Sequence, residues 1–358
     1  MTEPTVNRCF RLRRRPSGPV TEADLELCEE AVPQIEDGQA LVRTLLLSLD
    51  PTNRIWMSDM RSYLPPVPID AVMRGLGIGQ VLASRRDDMQ AGDLVSGFTG
   101  WQDLCVAGAP GEEFPFTVLP DPLPAPLTLF LGPIGHTGLT AWVGIADITK
   151  PQEGETVVVS AAAGAVGSVA GQLAKARGAR VVGIAGGPEK CRHVVEDLGF
   201  DACVDYKAGD WREQLAAATP DGIDVDFENV GGAIMDEVFL RLNLGARVAL
   251  SGMISQYNQS QEGWGAQMQI GQMITSRVLM KGFIVLDHAE LFEEAIGELA
   301  GLLAEGRLKF DETIVDGLGQ ARDALNRLFE GTNTGKLIVR VAEPVEAGAP
   351  SGATGATA

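Results

Sequence analysis

The hydrophobic pattern of this chain changes period near residue 131. From about Leu41 to Pro110, short aliphatic runs alternate with Gly, Asp and Pro: ALVRTLLLSLDP, GLGIGQVLAS, AGDLVSGFTG and WQDLCVAGA. Several short strands punctuated in this way predict an antiparallel, barrel-like domain. From about Leu131, strand-like runs alternate with helical segments. Strands are predicted at Thr156–Ser160, Arg180–Ala185, Ala202–Tyr206, Val225–Asn229, Arg247–Ser251 and Met280–Val285. That alternation predicts an α/β fold with a doubly wound parallel sheet. Between Ala289 and Glu305, Phe292, Ala295, Leu299 and Leu302 recur at helical spacing, as in a packing helix. Lys336–Val341 reads as a strand returning to the first domain. The tail after Glu343 is small and polar, lacks core-forming residues and is expected to be disordered.

One segment carries chemistry. Glu155 to Ser168 places three valines before a glycine-rich turn, and Val166 to Arg177 then reads as a helix. Strand, tight turn and helix N-terminus together form an anion cradle, because backbone N–H groups and the positive end of the helix dipole face one point. In Ala162-x-Gly164-x-x-Gly167, Gly164 lets the backbone approach a pyrophosphate and Gly167 lets the helix pack on the strand. Alanine stands where the first glycine usually sits.

The next strand indicates which dinucleotide is bound. A free adenosine ribose is usually held by an Asp or Glu about 20 residues beyond the glycines. Here Gly186-Gly187-Pro188 ends the strand without a carboxylate, and Lys190 and Arg192 stand at the start of the following helix. Ordinary solvated helix charges would look the same one at a time. Together with the missing acid they favour a 2′-phosphate, hence NADP(H) over NAD(H).

Composition narrows the class. The 358 residues suffice for two domains, and the formal charge of −19 argues against nucleic acid or an anionic membrane as partner. No apolar run approaches the ~20 residues of a membrane span, and the N-terminal stretch lacks the apolar core of a signal peptide. Five scattered cysteines contain no C-x-x-C pair, and His136, His193 and His288 offer no metal-ligand spacing. A reduced, cytoplasmic, metal-free protein is the expectation.

Further motifs carry a resemblance. They are Ser48-Leu49-Asp50-Pro51, Met57-Ser58-Asp59, Gly138-Leu139-Thr140-Ala141-Trp142, the Ala161–Ser168 turn, Asp205-Tyr206-Lys207, Asn229-Val230-Gly231-Gly232, Ser251 to Asn258 and Gly331 to Lys336. In order and spacing the chain resembles the zinc-independent medium-chain dehydrogenase/reductases, in the branch of leukotriene B4 dehydrogenase/prostaglandin reductases and alkenal double-bond reductases. The resemblance implies a GroES-like antiparallel β-barrel domain over 1–130 and a Rossmann-type NADP-binding domain over 131–310. It also implies a return to the first domain over 311–342, before the tail at 343–358, and a homodimer joined along the edge of the parallel sheet. Gly164, Ala165, Val166 and Gly167 would hold the pyrophosphate, and Lys190 and Tyr206 the 2′-phosphate. Asn229, Ser251, Gly252, Ile254 and Tyr257 would lie near the ribose, Phe283, Ile284 and Val285 along the nicotinamide, and Asn333 would reach back from the last turn. Asn229 alone would also suit a plain turn, and Tyr206 an edge strand.

The implied reaction is NADPH-dependent reduction of the carbon–carbon double bond of α,β-unsaturated aldehydes or ketones. Hydride addition to the β-carbon places charge on a remote oxygen, which needs a hydrogen-bond donor rather than a metal. Tyr257 is the candidate catalytic donor. Its phenol has three open roles: assisting through the ribose hydroxyl, protonating the α-carbon, or only anchoring the cofactor. Quinone reduction, carbonyl or alcohol dehydrogenation, and a non-catalytic NADP(H) sensor are the alternative functions. For the pocket of a small apolar enone or enal, Thr52, Tyr63 and His136 are candidates. Thr52-Asn53 replaces the Tyr-Met common in relatives. His136 stands where relatives carry an apolar residue, and reads either as a general acid or as a hydrogen-bonded hinge histidine. Trp56, Trp101 and Trp264 suit a cavity wall or a core equally.

Overall fold

A computed structural model describes residues 5–111, 114–259 and 270–345. The first part contains β1 (Asn7–Leu12), β2 (Leu25–Glu30), β3 (Ala40–Ser48), the short helix α1 (Thr52–Trp56), β4 (Gly77–Ser84), β5 (Leu94–Gly97), β6 (Leu104–Ala107) and β7 (Thr117–Val118). Helix α2 (His136–Trp142) leads into β8 (Thr156–Ser160), α3 (Ala165–Ala176), β9 (Arg180–Ala185), α4 (Pro188–Glu196), β10 (Ala202–Asp205) and α5 (Trp211–Ala218). The alternation continues through β11 (Ile223–Glu228), α6 (Gly232–Phe239), β12 (Leu242–Leu250), α7 (Ile270–Thr275), β13 (Leu279–Gly282) and α8 (Phe292–Ala304). Last come β14 (Glu312–Asp316), α9 (Ala321–Glu330) and β15 (Lys336–Arg340).

The alternating part folds as the pattern predicts. Six parallel strands take the order β10-β9-β8-β11-β12-β13. Burial on both faces explains why β8 is an unbroken apolar run, fully buried from Thr156 to Ser160. One face packs Val157, Val159, Val225 and Phe227 against α3 and α8; the other packs Val158, Val182 and Val248 against α5 and α6. The order reverses between β8 and β11, and that switch point opens a crevice outside the strand ends.

The second sheet runs β14-β15-β3-β4-β5-β7, with β6 also on β3. β15 pairs antiparallel with β3, so the chain does return to its first part. The outer pair β14–β15 is parallel, joined through α9, which departs from a purely antiparallel expectation. The pairing of β1 and β2 was not foreseen, because their charged residues (Arg8, Arg11, Glu26, Glu29, Glu30) fall at irregular spacing and break the strand period. Phe10, Leu12 and Leu25 cover the core formed with Leu47, Trp101 and Leu325.

Other boundaries differ as well. The sixth parallel strand ends at Gly282, since Val285 already opens a tight helical turn that runs to Leu291. The predicted helix from Ala289 accordingly starts at Phe292, because His288 breaks the helical backbone (φ −120°, ψ 31°). Val345, within the expected tail, exchanges two hydrogen bonds of 2.8 and 2.9 Å with the side chain of Gln80. Residues 346–358 lie outside the described residues. Among the described residues no helix is long and apolar enough to cross a membrane.

A polar group sits where the pattern calls for an apolar one. Asp226, in the middle of β11 between Val158 and Val248, is fully buried and neither carboxylate oxygen has a hydrogen-bond partner. Burial, with Glu228 nearby, pushes its pKa well above the usual carboxylate range. An acid whose pKa rises on folding stabilises fully only below its unfolded value, about pH 4, and loses that contribution as pH rises. Asp226→Val is therefore expected to raise the midpoint of thermal unfolding at about pH 8 by more than at about pH 4. A gain independent of pH would contradict this.

Candidate functional site

At the switch point the turn after β8 bends sharply. Ala161 takes a left-handed backbone (φ 50°), and the amide of Gly164 donates to Ala161 O at 2.9 Å. A Cβ on Gly167 would collide with Ala161 O, so only glycine lets α3 approach the turn. Alanine at 162 is accommodated from the next strand: a Cβ on Gly183 of β9 would fall 2.8 Å from the Ala162 methyl. The space that a first glycine normally supplies is supplied across the sheet instead.

The end of β9 forms a second corner. Tyr206 lies flat against Gly186, where any Cβ would sit 2.9 Å from the phenol ring. The nearest carboxylate, Asp205, accepts the amides of Gly187 (2.7 Å) and Lys207 (3.0 Å) and does not line the cleft. Lys190 points into the corner and donates to Gly331 O at 2.8 Å and to Asn333 O. Burial lowers its pKa, with Lys207 adding repulsion. This cationic corner without an accessible acid suits a phosphorylated ribose. Arg192 is exposed and takes no part in it.

Behind the corner, Glu228 organises the opposite lip. Its carboxylate accepts the amides of Val230 and Gly231 and the Ser160 hydroxyl, which in turn receives the Asn229 amide at 2.7 Å. The Asn229 side chain donates to Ser160 O at 2.8 Å, so β8 and β11 hold the loop jointly. Beyond β12, Tyr257 folds back on its own loop and its phenol oxygen accepts the Met253 amide at 2.9 Å. Burial raises its pKa, the Met253 amide lowers it, and the charge of Glu228 raises it. The phenol keeps its proton at neutral pH.

The far end comes from the second sheet. Lys336, 2% exposed, donates to Leu49 O (2.8 Å), Asp50 Oδ1 (2.9 Å) and Leu337 O (3.3 Å). Asp50 also accepts Ser48 Oγ. Burial works to raise the Asp50 pKa, but Lys336, His136 and Ser48 outweigh it and hold the carboxyl below its usual value. Thr52 Oγ1 and Tyr63 Oη share a hydrogen bond of 2.9 Å, so residue 63 brings to this wall the phenol missing at residue 52. Burial pushes the Tyr63 pKa up to about 12; the Thr52 bond lowers it, and Asp50 and Tyr257 raise it.

All the residues expected to hold cofactor or substrate line one cleft of about 870 Å³, from Lys190 and Tyr206 to Thr52, Tyr63 and His136. Trp56 and Trp101 do not: each is buried in the core, edge-on to Phe98 and Phe10 respectively. Trp264 lies outside the described residues. Among the lining residues that sequence reasoning did not single out are the apolar Ile55, Met60, Leu328 and Phe329, and Lys336. Only Lys336 had a signal, as the last residue of the Gly331–Lys336 motif. Among the described residues no group of three or more His, Cys, Asp or Glu side chains could hold a metal ion.

Known proteins resemble this chain in sequence and fold. A family model described as the N-terminal domain of oxidoreductase matches residues 8–114, and one described as zinc-binding dehydrogenase matches 165–301. The chain is 41% identical over 340 residues to the NADPH-dependent curcumin reductase of Escherichia coli (strain K12), covering 94% of this chain and 97% of that protein. It is 36% identical over 354 residues to the NADP(+)-dependent 2-alkenal reductase of Nicotiana tabacum, covering 95% and 99%. The crystal structure of CurA from Vibrio vulnificus in complex with NADPH superposes with a TM-score of 0.89 at 41% identity, covering 94% of this chain and 100% of the other. The chain belongs to the medium-chain dehydrogenase/reductase superfamily, in its alkenal and prostaglandin reductase branch.

Proposed function

We propose that this chain reduces the carbon–carbon double bond of α,β-unsaturated ketones and aldehydes with NADPH and without zinc. Family membership makes it an NADP-dependent oxidoreductase; the acceptor is the proposal. The observation that carries it is one cleft lined by the cationic corner at Lys190, by the Tyr257 phenol and by the apolar side chains of Ile55, Met60, Leu328 and Phe329.

The turn amides and Lys190 would hold the phosphates, and Tyr206 would cover the adenosine end. Bound NADPH supplies the hydride that adds to the β-carbon. The apolar walls orient the alkene and keep water out. Tyr257 supplies the hydrogen bond to the oxygen that gains charge, and the enolate so formed takes its α-carbon proton from solvent as the product leaves, completing the net addition of two hydrogens. A phenol polarised by an incoming amide bond is the stronger donor through its own O–H. Tyr257→Phe is expected to lower kcat by about 10²-fold or more while changing the NADPH dissociation constant by less than about threefold. Undiminished turnover would remove the phenol from catalysis.

The test of the reading is NADPH oxidation with a medium-chain 2-alkenal, an aryl enone and a small quinone as separate acceptors, with product analysis. Saturated aldehyde and ketone support it. Turnover of quinone alone rejects it, and cofactor binding without any turnover favours a sensor.

The same proposal takes residues 1–130 and 311–342 as the GroES-like domain and 131–310 as the cofactor domain, in a cytoplasmic enzyme. It pairs two copies along β13, an edge strand where Leu279 is 62% exposed, beside Ile274 at 77% and Leu244 at 66%.

A further inference from the structure

His136 opens α2 and lines the cleft together with Leu49, Asp50 and Lys336. Protein packs around the imidazole, yet part of it remains open to the cleft. Its backbone oxygen accepts the Thr140 hydroxyl at 2.8 Å, but neither ring nitrogen has a hydrogen-bond partner among the described residues. Among the described residues, then, the ring is not bonded into the protein as the hinge reading expected.

The charges around the ring fix its state. Burial lowers its pKa from the ordinary value; Asp50 pulls upward, and Lys336 pushes down again. Because Asp50 and Lys336 already neutralise each other at 2.9 Å, no unbalanced anion is left to stabilise an imidazolium. At neutral pH the ring offers one N–H donor and one acceptor nitrogen, a poor acid but a good hydrogen-bonding group. A ring nitrogen facing an apolar ligand would lose its water without replacement, a cost that a ligand oxygen removes.

His136 and Tyr257 address different places. The Tyr257 phenol is tied to the loop beyond β12 through the Met253 amide, whereas His136 opens α2 and lines the cleft with Asp50 and Lys336 from the second sheet. With Tyr257 assigned to the reacting carbonyl, a plain enal has no oxygen left for His136. We propose that His136 is a specificity-determining residue, hydrogen-bonding a second oxygen of the substrate, so that enones bearing a hydroxyl are preferred over matched enones without one. This rests on the double-bond reduction proposed above.

The test compares kcat/KM for benzylideneacetone with its meta- and para-hydroxy derivatives, in the wild-type enzyme and in His136→Met and His136→Gln. Taking the ratio within each enzyme cancels general losses of folding or cofactor binding. The wild type is expected to prefer at least one hydroxylated enone by about tenfold. His136→Met should bring that ratio to about one, and His136→Gln should keep part of it, because the amide can still bond the oxygen. The wild-type ratio for the meta-hydroxy enone should stay flat between about pH 6.5 and pH 8, below the range where that phenol, unconjugated with the ketone, ionises. No wild-type preference, or the same preference in His136→Met, overturns the assignment. Absence of turnover with all three enones and with a medium-chain 2-alkenal in the wild type would instead reject the underlying function.

Discussion

Lys336→Met is expected to destabilise the protein by about 3–5 kcal/mol, the usual cost of removing one partner of a buried ion pair. The residue is 2% exposed and all three ammonium protons are engaged, by Asp50, Leu49 O and Leu337 O. Methionine fills much of the volume but leaves the Asp50 carboxylate in low dielectric with only the Ser48 hydroxyl bonded to it. The sign of the pH dependence follows. In the wild type the Asp50 pKa is held below its ordinary value, so its contribution is present above about pH 4 and lost as pH falls further. Without Lys336 burial dominates and that pKa rises, so the deficit should narrow as pH falls towards about 4 and the orphaned carboxyl takes up a proton. Urea unfolding across that range measures both effects. A loss below about 1 kcal/mol, or one that widens at low pH, would show that the pair does not behave as a buried one.

Lys190→Ala should raise the dissociation constant for NADPH by about 10–100-fold, as expected for one hydrogen bond to a charged phosphate. NADH lacks that phosphate and should change by less than about threefold. The contrast matters because Lys190 also ties α4 to Gly331 O and Asn333 O. A purely structural role would weaken both cofactors alike. Fluorescence titration of each reduced cofactor separates the outcomes, and equal losses would refute the phosphate assignment.

The legibility of the site varied with the range of the interactions that build it. The glycine-rich turn was readable because its chemistry is local: β8, the bend at Ala161 and the start of α3 are consecutive. Lys190 was readable because the absence of an acid after β9 is itself a short-range signal, whereas Tyr206 came only through the family resemblance. Arg192 looked equivalent to Lys190 in sequence, and only the turn of α4 separates the cleft-facing residue from the exposed one. Trp56 and Trp101 could not be placed, because an indole is equally at home in a core or a pocket wall. Their burial is decided by Phe98 and Phe10, more than 40 residues away in one case and about 90 in the other.

By itself the sequence determined the alternation of strands and helices from β8 to β13, the dinucleotide cradle and the preference for a 2′-phosphate, all of which follow from periodicity and from residues close together along the chain. Tertiary structure alone decided that alanine at 162 is tolerated, through Gly183 on the neighbouring strand, and that Thr52 receives its phenol from Tyr63. It also joined Lys336 to Asp50 across 286 residues and left the His136 ring facing the cleft. Those relations depend on distance in space and on the low dielectric that burial creates. No spacing along the chain encodes either.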